Sequence, residues 1–319
     1  MTTLYLPDET LNGLIQASST AITAELVDEI DMLERQFPAD ERIHYLRYAV
    51  RQAAGLHREA LDDLWSCLEI KPTEAIVLDA IANTVLQHGE GGQVTNHNLS
   101  LKSGERQVAE DLEKIRVDHV VRYKLAASLL GDRHENLTAL TGLDLFCGNG
   151  YGSRLVHNMT GSRLIGIDGS PDAVEQANRA YGNHRVKFFQ KYFPFSVTPG
   201  LFDFAICFES VEHVDDYEGL LHQVFNATRG HVFLSVPAEE TLNFEKNKSF
   251  FKFHVRHFTL AQISDLCSRF TQHTLKNVYG QTVYKLKDGF ISGLVAADKM
   301  YIRPTYSDSQ FHLLHFAPR

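Results

Sequence analysis

The 319-residue chain is poor in several things that would define its class. It has one tryptophan, nine prolines and four cysteines. Cys67, Cys147, Cys207 and Cys267 form no CxxC pair, and each lies in or beside an apolar stretch. That usage excludes a disulfide scaffold or a thiolate metal knot, and fits buried free thiols in a reducing cytoplasm. No apolar run approaches the ~18 residues of a membrane span. The N-terminus, MTTLYLPDETLNGLIQ, carries acids early and reads as no secretory signal. Bases are also in short supply, at 31 against 40 acids, for a formal charge of −9. A net-acidic chain lacks the electrostatic footprint of a general nucleic-acid binder. What is present is ordinary globular material, with 44% hydrophobic and 22% charged residues. It is enough for a core without staples, and at this length for two domains.

The first part reads as helix only. Apolar residues recur at helical spacing in 24–37, 43–54, 60–70 and 75–86. Pro38 and Pro72, and likewise Gly55 and Gly89, are 34 residues apart. With Gly55, His57, Ala60, Leu68 and Pro72, the stretch GLHREALDDLWSCLEIKP resembles the second half of a tetratricopeptide hairpin, whose period is also about 34. Two to three degenerate helix pairs are expected over 1–90, serving a protein partner or self-association, or reading a substrate on a concave face. Residues 91–104, rich in Gly, Asn and Ser, read as a linker. The rest, 105–319, forms the second domain, opening with a helix over 105–130.

From Leu140 short apolar runs alternate with helical stretches: GLDLF, RLIGID, RVKFFQ, FDFAICF and HVFLSV. Strands alternating with helices predict βαβ units and a parallel sheet. HTLKNVYG and GLVAADK then suit an antiparallel hairpin at the sheet edge.

The first strand runs into Asp144-Leu145-Phe146-Cys147-Gly148-Asn149-Gly150-Tyr151-Gly152, and a helix opens at Ser153. Glycines at such a turn let the backbone approach a ligand and present N–H groups at a helix N-terminus. A dinucleotide site would use a similar loop. Here an acid, Asp144, lies inside the strand, near where a cationic ligand end would sit. The second strand ends at Asp168, 20 residues after Gly148, where a carboxylate can accept both hydroxyls of a ribose. Asp168 could instead cap the next helix, but Ser170, ahead of Pro171, fills that role better.

Together DLFCGNGYG, GIDGSPDAVEQA and FDFAICFESVEHV resemble motifs I, II and IV of class I S-adenosylmethionine-dependent methyltransferases, over roughly residues 104–298. The resemblance implies an α/β, Rossmann-like seven-stranded sheet with a C-terminal antiparallel hairpin, here behind an N-terminal all-α domain. It implies S-adenosylmethionine as cofactor, with Gly148 and Gly150 around its methionine part and Asp168 on its ribose. The other expected cofactor contacts are Arg106, Tyr123, Asp144, Phe146, Tyr151, Gly169, Ser170, Gln190, Lys191 and Glu209. Gly104-Glu105-Arg106 with His119-x-x-Arg122-Tyr123 is similar to the lead-in of bacterial methyltransferases associated with surface polysaccharides. FHVRHFTLAQI and Tyr279-Gly280-Gln281 are similar to the region after their fifth strand. Lys191 departs from the pattern: the family usually carries an acid near the adenine amino group, and lysine accepts no hydrogen bond.

Methyl transfer needs an aligned acceptor and, for a hydroxyl, removal of a proton. After the fourth strand stand Glu209, Glu212 and His213, which share a face if a helical turn begins there. Three readings are open for this candidate catalytic set. His213 is a general base. Or Glu209, Glu212 and His213 bind a divalent ion with His254 or His257, a pattern similar to metal-using small-RNA and quinone-pathway O-methyltransferases. Or the cluster is structural. The other histidines, such as His88, His97 and His184, read as solvated surface.

The expected activity is methyl transfer to a hydroxyl of a sugar or glycan-like acceptor. Phe244, Phe250, Phe251 and Phe253 offer rings to stack on it, or a hydrophobic lid. The alternatives are a metal-assisted methyltransferase of a small aromatic or nucleic-acid acceptor, a helical scaffold with a non-catalytic cofactor-binding domain, and a nicotinamide-dependent oxidoreductase.

Overall fold

A computed structural model describes residues 5–87, 108–304 and 307–319. The expected linker 91–104, Arg106, His88 and His97 lie outside the described residues. The chain divides into two compact units, Met1–His88 with Asn183–Arg185, and Gly89–Gly182 with Val186–Arg319.

The first unit contains α1 (Asp8–Thr20), α2 (Ala24–Gln36), α3 (Glu41–Ala53), α4 (His57–Ile70) and α5 (Ala75–Val85). Leu26, Ile30, Leu33, Ile43, Leu46 and Val50 build one shared core, and Trp65 is fully buried. Thr23 caps α2 by accepting from the Leu26 N–H, and Asp40 caps α3 by accepting from the Arg42 N–H. Pro38 and Pro72, 34 residues apart, stand in the short turns before α3 and α5.

The second unit is an α/β sheet. Its elements are α6 (Val117–Gly131), β1 (Thr141–Leu145), α7 (Tyr151–Thr160), β2 (Arg163–Asp168), α8 (Pro171–Ala180), β3 (Val186–Gln190), β4 (Phe202–Phe208), α9 (Tyr217–Ala227), β5 (Thr228–Pro237), α10 (Phe244–Asn247), α11 (Leu260–Ser268), β6 (His273–Gln281), β7 (Tyr284–Lys287), β8 (Phe290–Leu294), β9 (Ile302–Pro304) and β10 (Phe311–Pro318). The strand order is β3-β2-β1-β4-β5-β10-β6-β9, with β7 and β8 pairing separately. The first five strands are parallel, and β10 runs antiparallel between β5 and β6. β1 is buried along its whole length, as a central parallel strand must be. The strand order reverses between β1 and β4, which opens a crevice at their C-terminal ends.

Three expectations are corrected. The sheet has eight strands rather than seven, because the short β9 adds to the free edge of β6 through Tyr279–Gln281. The hairpin partner of β6 is β10, not Gly293–Lys299. Burial decides this: β10 is buried at every residue but the last, whereas β8 is exposed along nearly all its length. The helix expected from Glu105 begins only at Val117. Before it, Asp111 caps a 3-10 turn at Leu112–Lys114, and Ile115 turns into the core.

Candidate active site

The loop after β1 sets the first wall. Phe146, Gly148 and Gly150 all take positive φ, at 60°, 57° and 84°. Gly150 cannot be replaced freely, since a Cβ there would meet the Phe188 ring at 2.5 Å as well as a left-handed backbone. A Cβ on Gly152 would fall inside the Tyr123 ring. Asp168, at the end of β2, locks the loop: its two oxygens accept from the N–H groups of Gly148 (2.9 Å) and Ser170 (2.8 Å). Ser170 caps α8 through the Ala173 N–H, as the sequence implies.

Asp144 lies beneath this loop and does not line the cavity. Its carboxylate accepts from Ser153 (2.6 Å) and from Tyr123 (3.4 Å). Burial pushes its pKa up to about 7, against the pull of those two hydroxyls. It anchors the loop from inside.

The second wall is built by α6, the end of β4 and the segment after β5. Glu209 follows β4 at φ 50°. Its N–H donates to the Ser235 carbonyl (3.2 Å), and its carboxylate accepts from the Ser235 hydroxyl (2.8 Å) and pairs with Arg122 (3.5 Å). Burial raises its pKa, while Arg122 and Ser235 oppose the rise. Arg122 is only 1% exposed. It donates to Gln281 (2.7 Å) and stacks on Phe311, 4.4 Å from the ring centre. Arg116 grips Asp118 at 2.5 and 2.7 Å and donates to His119 Nε2 (3.2 Å). A guanidinium only donates, so His119 carries its proton on Nδ1 and gives it to the Tyr151 hydroxyl at 3.1 Å. Burial holds His119 neutral, down to about 3.

A 3-10 turn at Val211–His213 follows Glu209, so the expected helical face does not form. Glu212, His213 and His254 instead bring their ligand atoms within 4.8 Å of one another. Glu209 is outside that group, drawn off by Ser235 and Arg122. Of the two later histidines, His254 joins it; its ring lies edge-on to His213 at 4.5 Å between centres. Burial lowers the His254 pKa to about 3.

Both walls enclose one cavity of about 500 Å³. Tyr123, Phe146, Gly148, Tyr151, Asp168, Gly169, Lys191, Glu209, His213 and His254 line it. Gly150, Ser170 and Glu212 stand behind the lining. Gln190 is exposed and outside the lining, and its amide donates to the Gly169 carbonyl (3.0 Å). Phe250, Phe251 and Phe253 line the cavity, whereas Phe244 packs on His257. The sequence reading missed Arg116, Asp118, Tyr284 and Phe311. The last two come from β7 and β10, whose place in the fold no local signal announced.

Fold and site together define a nucleotide-type ligand crevice of the S-adenosylmethionine-binding kind. The donor set fits that cofactor. Asp168 lines the cavity, and a carboxylate there can accept from a ribose diol. A Cβ on Gly148 would meet nothing within 4 Å, so the loop backbone there has room for a ligand. A family model described as a methyltransferase domain matches residues 117–279, just over half of the chain. The chain belongs to this methyltransferase family, class I and S-adenosylmethionine-dependent. Among solved structures it is similar to an S-adenosylmethionine-dependent methyltransferase of Thermotoga maritima, described as a possible histamine N-methyltransferase. The identity is 17%, over 64% of this chain and 92% of that one, with a TM-score of 0.44. It is also similar to the magnesium protoporphyrin IX methyltransferase of Synechocystis with bound S-adenosylhomocysteine. There the identity is 17%, over 68% and 90%, with a TM-score of 0.46. A search of curated proteins found no match.

Proposed function

We propose that this methyltransferase acts on oxygen, at a hydroxyl of a sugar or glycan-like acceptor. One observation carries the reading: a single cavity is lined both by the glycine loop with Asp168 and by His213 with Phe250, Phe251 and Phe253. Aromatic faces suit the apolar side of a pyranose ring, and the neighbouring Arg116, Arg122 and Glu209 suit its hydroxyls.

In this reading Asp168 accepts from the ribose hydroxyls of S-adenosylmethionine, and Gly148 leaves room for its methionine part. Lys191 lines the cavity, and its ammonium accepts no hydrogen bond, so its side chain takes no part in holding the adenine amino group. When bound, the cofactor supplies a methyl on a sulfonium sulfur: the acceptor oxygen takes the carbon, the C–S electron pair stays on sulfur, and the hydroxyl proton is released. The chain's task is to align that oxygen and remove the proton. His213 is the group at hand. Its Nδ1–H donates to the Phe253 carbonyl at 3.1 Å, which leaves Nε2 as the lone-pair nitrogen. Glu209 holds Arg122 and shapes the acceptor wall. The N-terminal helices serve as a docking module for a protein partner or a second copy, and four buried free thiols suit a cytoplasmic setting.

The test is untargeted mass spectrometry of a source-cell extract incubated with the protein and isotope-labelled S-adenosylmethionine. A labelled methyl ether on a carbohydrate is expected. Label only on nitrogen or on an aromatic metabolite overturns the acceptor class. No calorimetric binding of S-adenosylmethionine or S-adenosylhomocysteine overturns the catalytic reading altogether.

A further inference from the structure

The cluster that meets the acceptor is built like a metal site. His257 Nδ1 lies 2.5 Å from the Leu242 carbonyl, so it carries the proton and donates. His257 Nε2 therefore accepts, and the only donor that His254 can present to it, at 2.9 Å, is its Nδ1–H. His254 is thereby fixed with its lone pair on Nε2. The Phe253 carbonyl fixes His213 in the same tautomer. The Val255 N–H donates to the Glu212 carbonyl (2.8 Å), so the β4 turn and the 251–257 segment are stitched together. One ring nitrogen from each imidazole and one Glu212 oxygen lie within 4.8 Å of one another, and in both imidazoles the nitrogen that keeps a lone pair is Nε2. Each imidazole has its other nitrogen tied to an outer partner, the arrangement that orients metal-ligating histidines.

We infer that Glu212, His213 and His254 bind a divalent first-row transition ion, without Glu209. Two imidazoles and one carboxylate make a mixed nitrogen–oxygen set, which selects Zn²⁺ or Mn²⁺ over Mg²⁺ or Ca²⁺. Three protein ligands leave coordination positions over, and His213 and His254 line the cavity, so the site is of the open, catalytic kind. With an ion held, His213 Nε2 would be a ligand and no longer the base; the ion would take over that task by lowering the pKa of an acceptor hydroxyl that reaches it, so that its proton could pass to water. This use of the ion rests on the proposed methyl transfer to oxygen; the ion's binding does not.

The experiment is calorimetric titration of the full chain, stripped with chelator, with Zn²⁺, Mn²⁺ and Mg²⁺ in turn. Thermal shift is the second readout. One equivalent of Zn²⁺ should bind, more tightly than Mn²⁺, with Mg²⁺ weakest, and should raise the melting temperature. His213→Ala and His254→Ala should each weaken Zn²⁺ at least tenfold. His257→Phe, which touches no ion, should weaken it about 10–100-fold by releasing His254. Circular dichroism identifies any variant that has lost its fold. Absence of Zn²⁺ and Mn²⁺ binding in the wild type overturns the site. So does binding that survives both histidine substitutions in folded protein. A parallel titration with S-adenosylhomocysteine separates the two ideas: Zn²⁺ bound without S-adenosylhomocysteine upholds the site and sinks the methyltransferase reading.

Discussion

Replacing Asp168 by alanine should do two things at once. In the proposed cofactor complex the carboxylate would face the ribose hydroxyls, and each charge-assisted hydrogen bond is worth about 1.5–3 kcal/mol. Losing even one such bond corresponds to a roughly tenfold or greater fall in affinity, at about 1.4 kcal/mol per decade. The sequence alone suggests that the apo melting temperature would barely change. The structure says otherwise. Asp168 is 3% exposed and accepts from the Gly148 and Ser170 N–H groups. Alanine strands two backbone donors, each at a cost of about 1–3 kcal/mol. At roughly 2–4 °C per kcal/mol for a domain of this size, the apo melting temperature should fall by at least about 4 °C. Asp168→Asn keeps one side-chain oxygen as acceptor, so it should recover part of the stability and little of the affinity. Titration with S-adenosylhomocysteine and a melting curve on each variant read both effects. Unchanged affinity in a folded Asp168→Ala protein would refute the ribose role. An unchanged melting temperature would refute the loop-locking role.

Three further outcomes follow from the same geometry. Glu209→Gln keeps a partner for Ser235 but leaves the buried Arg122 without that charge, so acceptor KM should rise about tenfold with kcat little changed; a thousandfold loss of kcat at constant KM would instead make Glu209 a proton-transfer group. His231 and His315 are buried and bonded to each other at 3.0 Å, and burial near Arg133 brings both pKa values from 6.5 down to about 4. The folded state resists protons that the unfolded chain accepts, so their contribution is full above pH 6.5 and is lost as pH falls towards 4. Asp144, raised to about 7, acts with the opposite sign over the same window, so the comparison is with His315→Phe, which should melt less acid-sensitively than wild type; parallel melting curves from pH 7 to 4 count against the pair. A chain starting near Asn98 should still bind S-adenosylhomocysteine, since the glycine loop, Asp168 and the described lining of the cavity lie beyond it; loss of binding in soluble protein would place the first unit within the binding machinery.

The parts of the fold that were legible are those where one local pattern has one physical outcome. RLIGID and FDFAICF are apolar runs of strand length between helical stretches, and they became β2 and β4 without an end misplaced. The C-terminal hairpin was legible only as a type. Gly293–Lys299 looks like a strand by composition, whereas Phe311–Pro318, with histidines between its apolar residues, looks mixed. The histidines resolve this through partners the sequence does not reveal: His315 stacks on Phe233 of β5, 4.8 Å between ring centres, and bonds His231. A polar residue that finds a buried mate behaves as core, and no window of eight residues shows that mate.

The site divides along the same line. The glycine loop and Asp168 were legible because both are dictated by backbone chemistry within 20 residues of each other. Asp144 was placed in the right strand, but its side-chain partners were not visible in the sequence. Whether an acid at a strand's inner end meets a ligand or a serine depends on Ser153, one helical turn past the loop, whose hydroxyl takes the carboxylate at 2.6 Å. At the end of β4 the spacing Glu-x-x-Glu-His suggested three groups on one face. The positive φ of Glu209 swings it to Ser235 and Arg122 and out of that set. His254, 41 residues after His213, takes its place. Its choice over His257 turns on which of the two imidazoles meets the Leu242 carbonyl: His257 gives its proton to that carbonyl and becomes the support, and His254 becomes the group with a lone pair facing the cavity.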